Sequence, residues 1–192
     1  WKGYFNRFDG YAHSGNALAG IYRAAQAAGV RFFLGEQAAV DELVYVSTVT
    51  GRKCAGIRTK SGRFHSGALV IVAAGANAGR LVPQLGQQVV AKSWSVAHVQ
   101  LTDDETSGLR GIPVTYARDL GFFFEPDPKT NLLKLCPMGG GYINTDPKTG
   151  VSHSPESLSE SSFVPEEDEK QMRKLLAHTL PSLADRPLVK KS

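Results

Sequence analysis

Several things are scarce in this sequence of 192 residues. No apolar run approaches the length needed to cross a bilayer, and the N-terminus lacks the charged-then-apolar order of a signal peptide. The only two cysteines, Cys54 and Cys136, lie far apart without a metal-like spacing, and a reducing compartment is expected. Net charge is +4, yet the basic residues are scattered, with no run longer than a pair such as Lys190-Lys191, which gives nucleic-acid binding little support. No repeat or low-complexity tract appears. The chain opens at Trp1 without a methionine and closes at Lys190-Lys191-Ser192, as an interior piece of something longer would.

What remains is an ordinary globular composition, 42% hydrophobic and 21% charged. Its most apolar stretch is Leu69 to Ala74, centred on Val70-Ile71-Val72 and broken at Gly75. It is short enough for a strand and apolar on both faces, the pattern of a central parallel strand, with a helix turn expected from Asn77. In open α/β sheets ligands sit beyond the carboxyl ends of such strands, where small residues let them approach the backbone.

The preceding chain fits that picture. Residues 1–9 read as a loop or short strand. Leu18, Ile21, Tyr22 and Ala25 recur at helical spacing over residues 17–28, with Ser14 or Asn16 as N-cap and Gly29 closing the helix at C′. Val30 to Leu34 reads as a strand. Residues 40–49 and 53–60 alternate as antiparallel strands around a Thr50-Gly51-Arg52 turn, and Ser61-Gly62 turns the chain toward residues 63–66.

Beyond Gln88 the pattern changes. Residues 89–101 alternate as one long strand, and Asp103-Asp104-Glu105 load the start of a short helix. Residues 112–117, 120–125 and 131–136 read as further strands, the last two joined through Pro126-Asp127-Pro128. Residues 144–162 form a loop rich in Ser, Pro, Asp and Gly. A helix follows Pro165, with Glu166 to Glu169 in its first turn, an apolar face of Met172, Leu175, Leu176 and Leu180, and Pro181 as its stop. The fold class is therefore α/β plus α+β, the second part mostly antiparallel.

The segments Gly10-Tyr11-Ala12-His13-Ser14-Gly15-Asn16-Ala17-Leu18, Gly29-Val30, Val40, Ala73-Ala74-Gly75-Ala76, Gly121 to Pro126, Leu133-Lys134-Leu135 and Leu183 to Pro187 cover nearly the whole chain. In this order they resemble the flavin-dependent amine oxidases of the D-amino-acid oxidase superfamily. The branch is that of monomeric sarcosine oxidase, the fructosyl amino acid oxidases and the saccharopine and pipecolate oxidases. The resemblance implies FAD as cofactor and a Rossmann-like FAD-binding domain, of which residues 1–88 are part, with the meander inserted. It implies an antiparallel substrate domain over residues 89–182 and a return toward the FAD domain over 183–192. The family's G-x-G-x-x-G fingerprint is absent; Gly139-Gly140-Gly141 precedes Tyr142-Ile143-Asn144 rather than a helix and does not replace it.

The resemblance also implies roles for residues. Lys134 matches the lysine that promotes reaction with O2, where an ammonium in a dry site stabilises the superoxide anion as it forms. The competing reading is a solvent-facing strand lysine. Val40, Ala74 and Gly75 match positions that pack on flavin. Phe123 matches a substrate-pocket aromatic, and Glu125 is a candidate for a substrate ammonium. His13 and His98 are candidates for bases, but hydrogen-bonded structural histidines are the expected reading for both. Fructosyl amino acid oxidases carry glutamate four residues beyond the oxygen lysine; here that position is Met138, whose thioether cannot accept a charged hydrogen bond.

The implied activity is oxidation of a secondary amine or N-substituted amino acid of the sarcosine, pipecolate or saccharopine type to an imine, with release of H2O2. The partners are a small-molecule amine, O2 and the remainder of a parent chain, with neither nucleic acid nor membrane, in the cytoplasm or peroxisome. A fructosyl amino acid oxidase, a flavin dehydrogenase and an inactive apo fragment stand as alternatives.

Overall fold

The computed structural model describes residues 2–192, so the expectation for Trp1 lies outside the described residues. The chain forms two compact units. One comprises residues Ala12–Val90 with Pro147–Val151; the other comprises residues 2–11, Ala91–Asp146 and Ser152–Ser192.

The first unit opens with α1 (Ser14–Ala27). Its N-cap is His13, whose Nδ1 accepts the Asn16 N–H at 3.2 Å. This displaces the expected Ser14 or Asn16 caps, because the imidazole reaches the orphan donor and Ser14 is drawn into the helix. At the other end Gly29 adopts φ +84°, its N–H reaches Gln26 O, and Val30 N–H reaches Ala25 O. That paired closure needs a left-handed residue at C′, and glycine adopts it without a Cβ clash. A meander follows, β1 (Val40–Thr48), β2 (Gly51–Thr59) and β3 (Phe64–Ser66), antiparallel in that order. Thr48 pairs with Gly51, so Val49-Thr50 forms the turn, one residue earlier than the glycine suggested. The short helices α2 (Ala78–Leu81) and α3 (Pro83–Gly86) come next, after a single 3-10 turn over Gly75–Asn77.

The sequence is corrected most at its two apolar strands. Residues 30–34 and 69–74 run outside any ladder, with Leu69 77% and Ile71 80% exposed. A strand exists only through a neighbour that takes up its N–H and C=O groups, and neither segment has one among the described residues. α1 has no buried residue either; Leu18 and Ile21 stand open.

The second unit is built on a five-stranded antiparallel sheet. Its elements in chain order are β4 (Ala97–Gln100), α4 (Asp103–Gly108), β5 (Thr115–Ala117), β6 (Gly121–Phe123), β7 (Leu132–Pro137), α5 (Leu158–Ser161), α6 (Glu166–Thr179) and β8 (Leu188–Val189). The strand order is β5-β6-β7-β4-β8. The long strand expected over 89–101 shortens to β4 plus one bridge between Ser93 and Tyr142, because only there does a neighbour run alongside. Residues 183–192, expected to return toward the first domain, supply β8 at the edge of this sheet instead. Residues 2–11 also belong to this unit: the Tyr11 ring stacks on Phe124 with centroids 4.8 Å apart.

Alternation sends Ala97, Val99, Phe123, Leu133 and Leu135 to one face, where they pack with Met172, Leu175 and Leu176 of α6 in the hydrophobic core. α4 carries a complete capping box between Thr102 and Glu105. Glu105 in turn takes two hydrogen bonds from Arg186, at 3.1 and 2.5 Å, which tie the chain before β8 to α4. The glycine cluster has a packing role. A Cβ on Gly140 would collide with the buried Asp168 carboxylate of α6, whose Oδ2 accepts the Gly141 N–H at 2.7 Å and the Ser95 hydroxyl.

Candidate functional site

Register decides what shares the sheet's other face. His98 pairs with Lys134, Phe122 with Cys136, and Tyr116 with Phe122, so these five side chains lie opposite the core. Lys134 sits at the centre of β7, half-buried, and forms no ion pair among the described residues. An ammonium without a counter-ion on a largely apolar surface is suited to meet an anion that forms beside it.

A row of rings extends along this face. Tyr11 stacks on Phe124, Phe124 lies 5.8 Å from Phe122, and Phe122 lies 6.4 Å from Tyr116. The Tyr116 hydroxyl points to the Met138 sulfur at 3.8 Å, and Met138 is fixed by its own N–H to Leu120 O at 3.0 Å. Met138 therefore closes one end of the row. Phe123 takes no part in it: at 2% exposure it belongs to the core on the far face, and Phe122 and Phe124 are the aromatics beside Lys134.

Glu125 is already engaged. Its Oε2 accepts the Gly111 N–H at 2.9 Å, its Oε1 accepts the Tyr11 hydroxyl at 3.2 Å, and Arg110 stands 3.5 Å away. The Gly111 amide, with help from Tyr11 and Arg110, holds its carboxyl below the usual carboxylate range. Partial burial, and after it the same contact, pushes the Tyr11 phenol up. Glu125 thus orients Tyr11 and Arg110 rather than presenting a vacant acceptor. Burial pushes the Cys136 thiol up, against the nearby charge of Lys134.

The sequence offers His98 as a base or, more readily, a structural histidine, and carries no signal for its place opposite Lys134. Its Nδ1 lies 3.2 Å from Lys190 O, and burial together with the Lys134 charge lowers its pKa. His13 is occupied as the α1 cap.

The remaining candidates lie in the first unit. Val40 starts β1 and is exposed, Ala74 precedes the 3-10 turn, and Gly75 has φ +53°. A Cβ built on Gly75 would meet nothing within 4 Å, so the backbone there is open to a planar group. These residues fit a flavin contact. A cavity of about 200 Å³ in the same unit, lined by Phe33, Gln37, Thr59 and His65 among others, contains none of the predicted residues. No metal-binding cluster occurs among the described residues, and none of their helices is long and apolar enough to cross a membrane.

Comparison with known proteins gives the same orientation. The chain is 30% identical over 193 residues to L-saccharopine oxidase of Schizosaccharomyces pombe, a match that covers 96% of this chain and 44% of that protein. It superposes on the deglycating fructosamine oxidase of Aspergillus fumigatus (Amadoriase II) in complex with FSA with a TM-score of 0.80 and 32% identity, covering 94% of this chain and 40% of that one. A fructosyl peptide oxidase gives a TM-score of 0.77 at 30% identity, covering 92% and 42%. The chain thus spans less than half the length of these relatives. Residues 2–191 match the sequence profile described as DAO: FAD dependent oxidoreductase, and this chain belongs to that family.

Proposed function

We propose that the protein containing this chain oxidises a secondary amine or N-substituted amino acid at its C–N bond, releasing an imine and H2O2. The observation that carries this reading is Lys134: an ammonium with no ion-pair partner among the described residues, centred on the non-core face of the sheet that also carries Phe122 and Tyr116. FAD, when bound, would supply the two-electron acceptor for the amine and the electron donor for O2. Val40, Ala74 and Gly75 would hold it, through an exposed side chain and an open backbone. The Lys134 ammonium lowers the energy of the anion that oxygen becomes on its first reduction, as a fixed charge in an apolar setting does.

The substrate class follows from what flanks Lys134. Met138 provides a thioether where a fructosyl-amino-acid site needs an anionic acceptor, and the Glu125 carboxylate is consumed by Gly111, Tyr11 and Arg110. The face suits an amine of the sarcosine, pipecolate or saccharopine type better than one bearing a sugar. That direction agrees with the saccharopine oxidase likeness.

The test is stopped-flow kinetics on the full-length flavoprotein. Lys134→Met is expected to slow flavin reoxidation by O2 by orders of magnitude while sparing anaerobic flavin reduction. Unchanged oxygen kinetics would remove Lys134 from the site. A peroxide-release panel of sarcosine, pipecolate, saccharopine and a fructosyl amino acid then fixes the substrate.

A further inference from the structure

His98 stands directly across the β4–β7 ladder from Lys134, on the same face. Opposed residues of an antiparallel pair have Cβ atoms about 5 Å apart, so the imidazole and the ammonium share one environment. The His98 Nδ1 lies 3.2 Å from the carbonyl oxygen of Lys190. A carbonyl only accepts, so this contact places the ring proton on Nδ1 and leaves Nε2 of the neutral ring with a bare lone pair.

The surroundings keep the ring neutral. Partial burial opposes the imidazolium, the Lys190 carbonyl favours it, and the two charges that act on it, Lys134 from β7 and Lys190 after β8, are both cations that oppose it. The other titratable side chains that register places on this face are Cys136, whose thiol burial pushes up, and Tyr116. A neutral imidazole beside a fixed ammonium is a base poised for a cationic ligand, and the amine substrates proposed above are cations at neutral pH.

We propose that His98 is the proton acceptor for the substrate's ammonium. This rests on the reading of the Lys134 face as the reaction face. A secondary ammonium cannot form a C=N bond, because its nitrogen lone pair is held in the extra N–H bond. In the step proposed, that N–H bond breaks and its electron pair stays on nitrogen. The proton bonds to His98 Nε2, and nothing is oxidised or reduced. The half-buried imidazolium then passes the proton to water.

The test uses the full-length, FAD-loaded protein with His98→Asn. Asparagine places an amide N–H where Nδ1 stood, keeping the bond to Lys190 O, but has no acceptor at the Nε2 position. Anaerobic flavin reduction is expected to slow about 100-fold at neutral pH, the usual scale for a lost general base. The deficit should shrink as pH rises toward the substrate's own pKa. A reduction profile that superimposes on wild type would overturn the proposal.

Lys134→Met serves as control. It acts on reoxidation, so unchanged oxygen kinetics would defeat the oxygen role of Lys134 whatever His98→Asn does. Should His98→Asn fail to retain flavin, 15N NMR of the wild-type imidazole decides: the Nδ1–H tautomer at pH 7 supports the proposal, and the Nε2–H tautomer overturns it.

Discussion

The hydrogen bonds converging on Asp168 set up a sharp test of how the second unit holds together. Asp168 is 4% exposed in the first turn of α6, where the positive end of the helix dipole favours a carboxylate. Its Oδ2 accepts both the Ser95 hydroxyl, just before β4, and the Gly141 N–H, just after β7. One carboxylate therefore joins a helix to the ends of two neighbouring strands, three residues from Met138. Asp168→Ala leaves two buried donors without an acceptor. Hydrogen bonds to charged groups are worth about 1.5–3 kcal/mol each, so two imply about 3–6 kcal/mol. Removing a buried charge relieves its desolvation, which brings the expected loss to about 3 kcal/mol. Against a typical total of about 5–15 kcal/mol, that is a large fraction. Asp168→Asn keeps an oxygen in place and loses only the charge assistance, for a loss of about 1 kcal/mol. The assay is urea unfolding followed by Trp94 fluorescence in a Trp1→Phe background, since Trp94 neighbours Ser95 and reports on this unit. Ser95→Ala should show coupling to Asp168→Ala of about 1 kcal/mol in a double-mutant cycle. Strict additivity, or an Ala variant no less stable than the Asn variant, would refute the reasoning.

Two further outcomes are expected. Met138→Glu places an acceptor at the end of the aromatic row and should raise peroxide release from a fructosyl amino acid relative to sarcosine about tenfold, the scale of one added charged contact; an unchanged ratio would mean that Met138 does not face substrate. Glu105 is held below its ordinary value of 4.5, first by the Thr102 backbone N–H and then by Arg186. Its stabilisation is therefore present above that value and lost as pH falls through the lowered one. Glu105→Gln should flatten the acid limb of an unfolding profile over roughly pH 5 to 3, and a limb identical to wild type would show that the Arg186 tie carries no weight.

The reach of the sequence ends where local pattern gives way to pairing. α6 was legible because its cause is local: acids in the first turn, leucines at helical spacing, and a proline beyond. The Gly29 closure was legible for the same reason, since only a left-handed residue satisfies both carbonyls. Residues 69–74 carry equally plain apolar residues, yet apolarity shows only that a segment needs covering, and no described strand covers this one. The phenylalanine run shows the same limit at atomic scale. Alternation requires Phe123 to face away from Phe122 and Phe124, but which side meets the core is fixed by the pairing of Phe123 with Leu135. Family likeness drew attention to Phe123, and register places Phe122 and Phe124 beside the lysine instead. His98 is the extreme case. Nothing near it in the chain marks it as more than a capped strand histidine. Its neighbour is set by a ladder to a strand beyond α4, β5 and β6, and its tautomer by a carbonyl after β8. A residue whose chemistry depends on two distant backbone partners leaves no signature in its own sequence window, so it is found by asking what stands opposite Lys134 across the ladder.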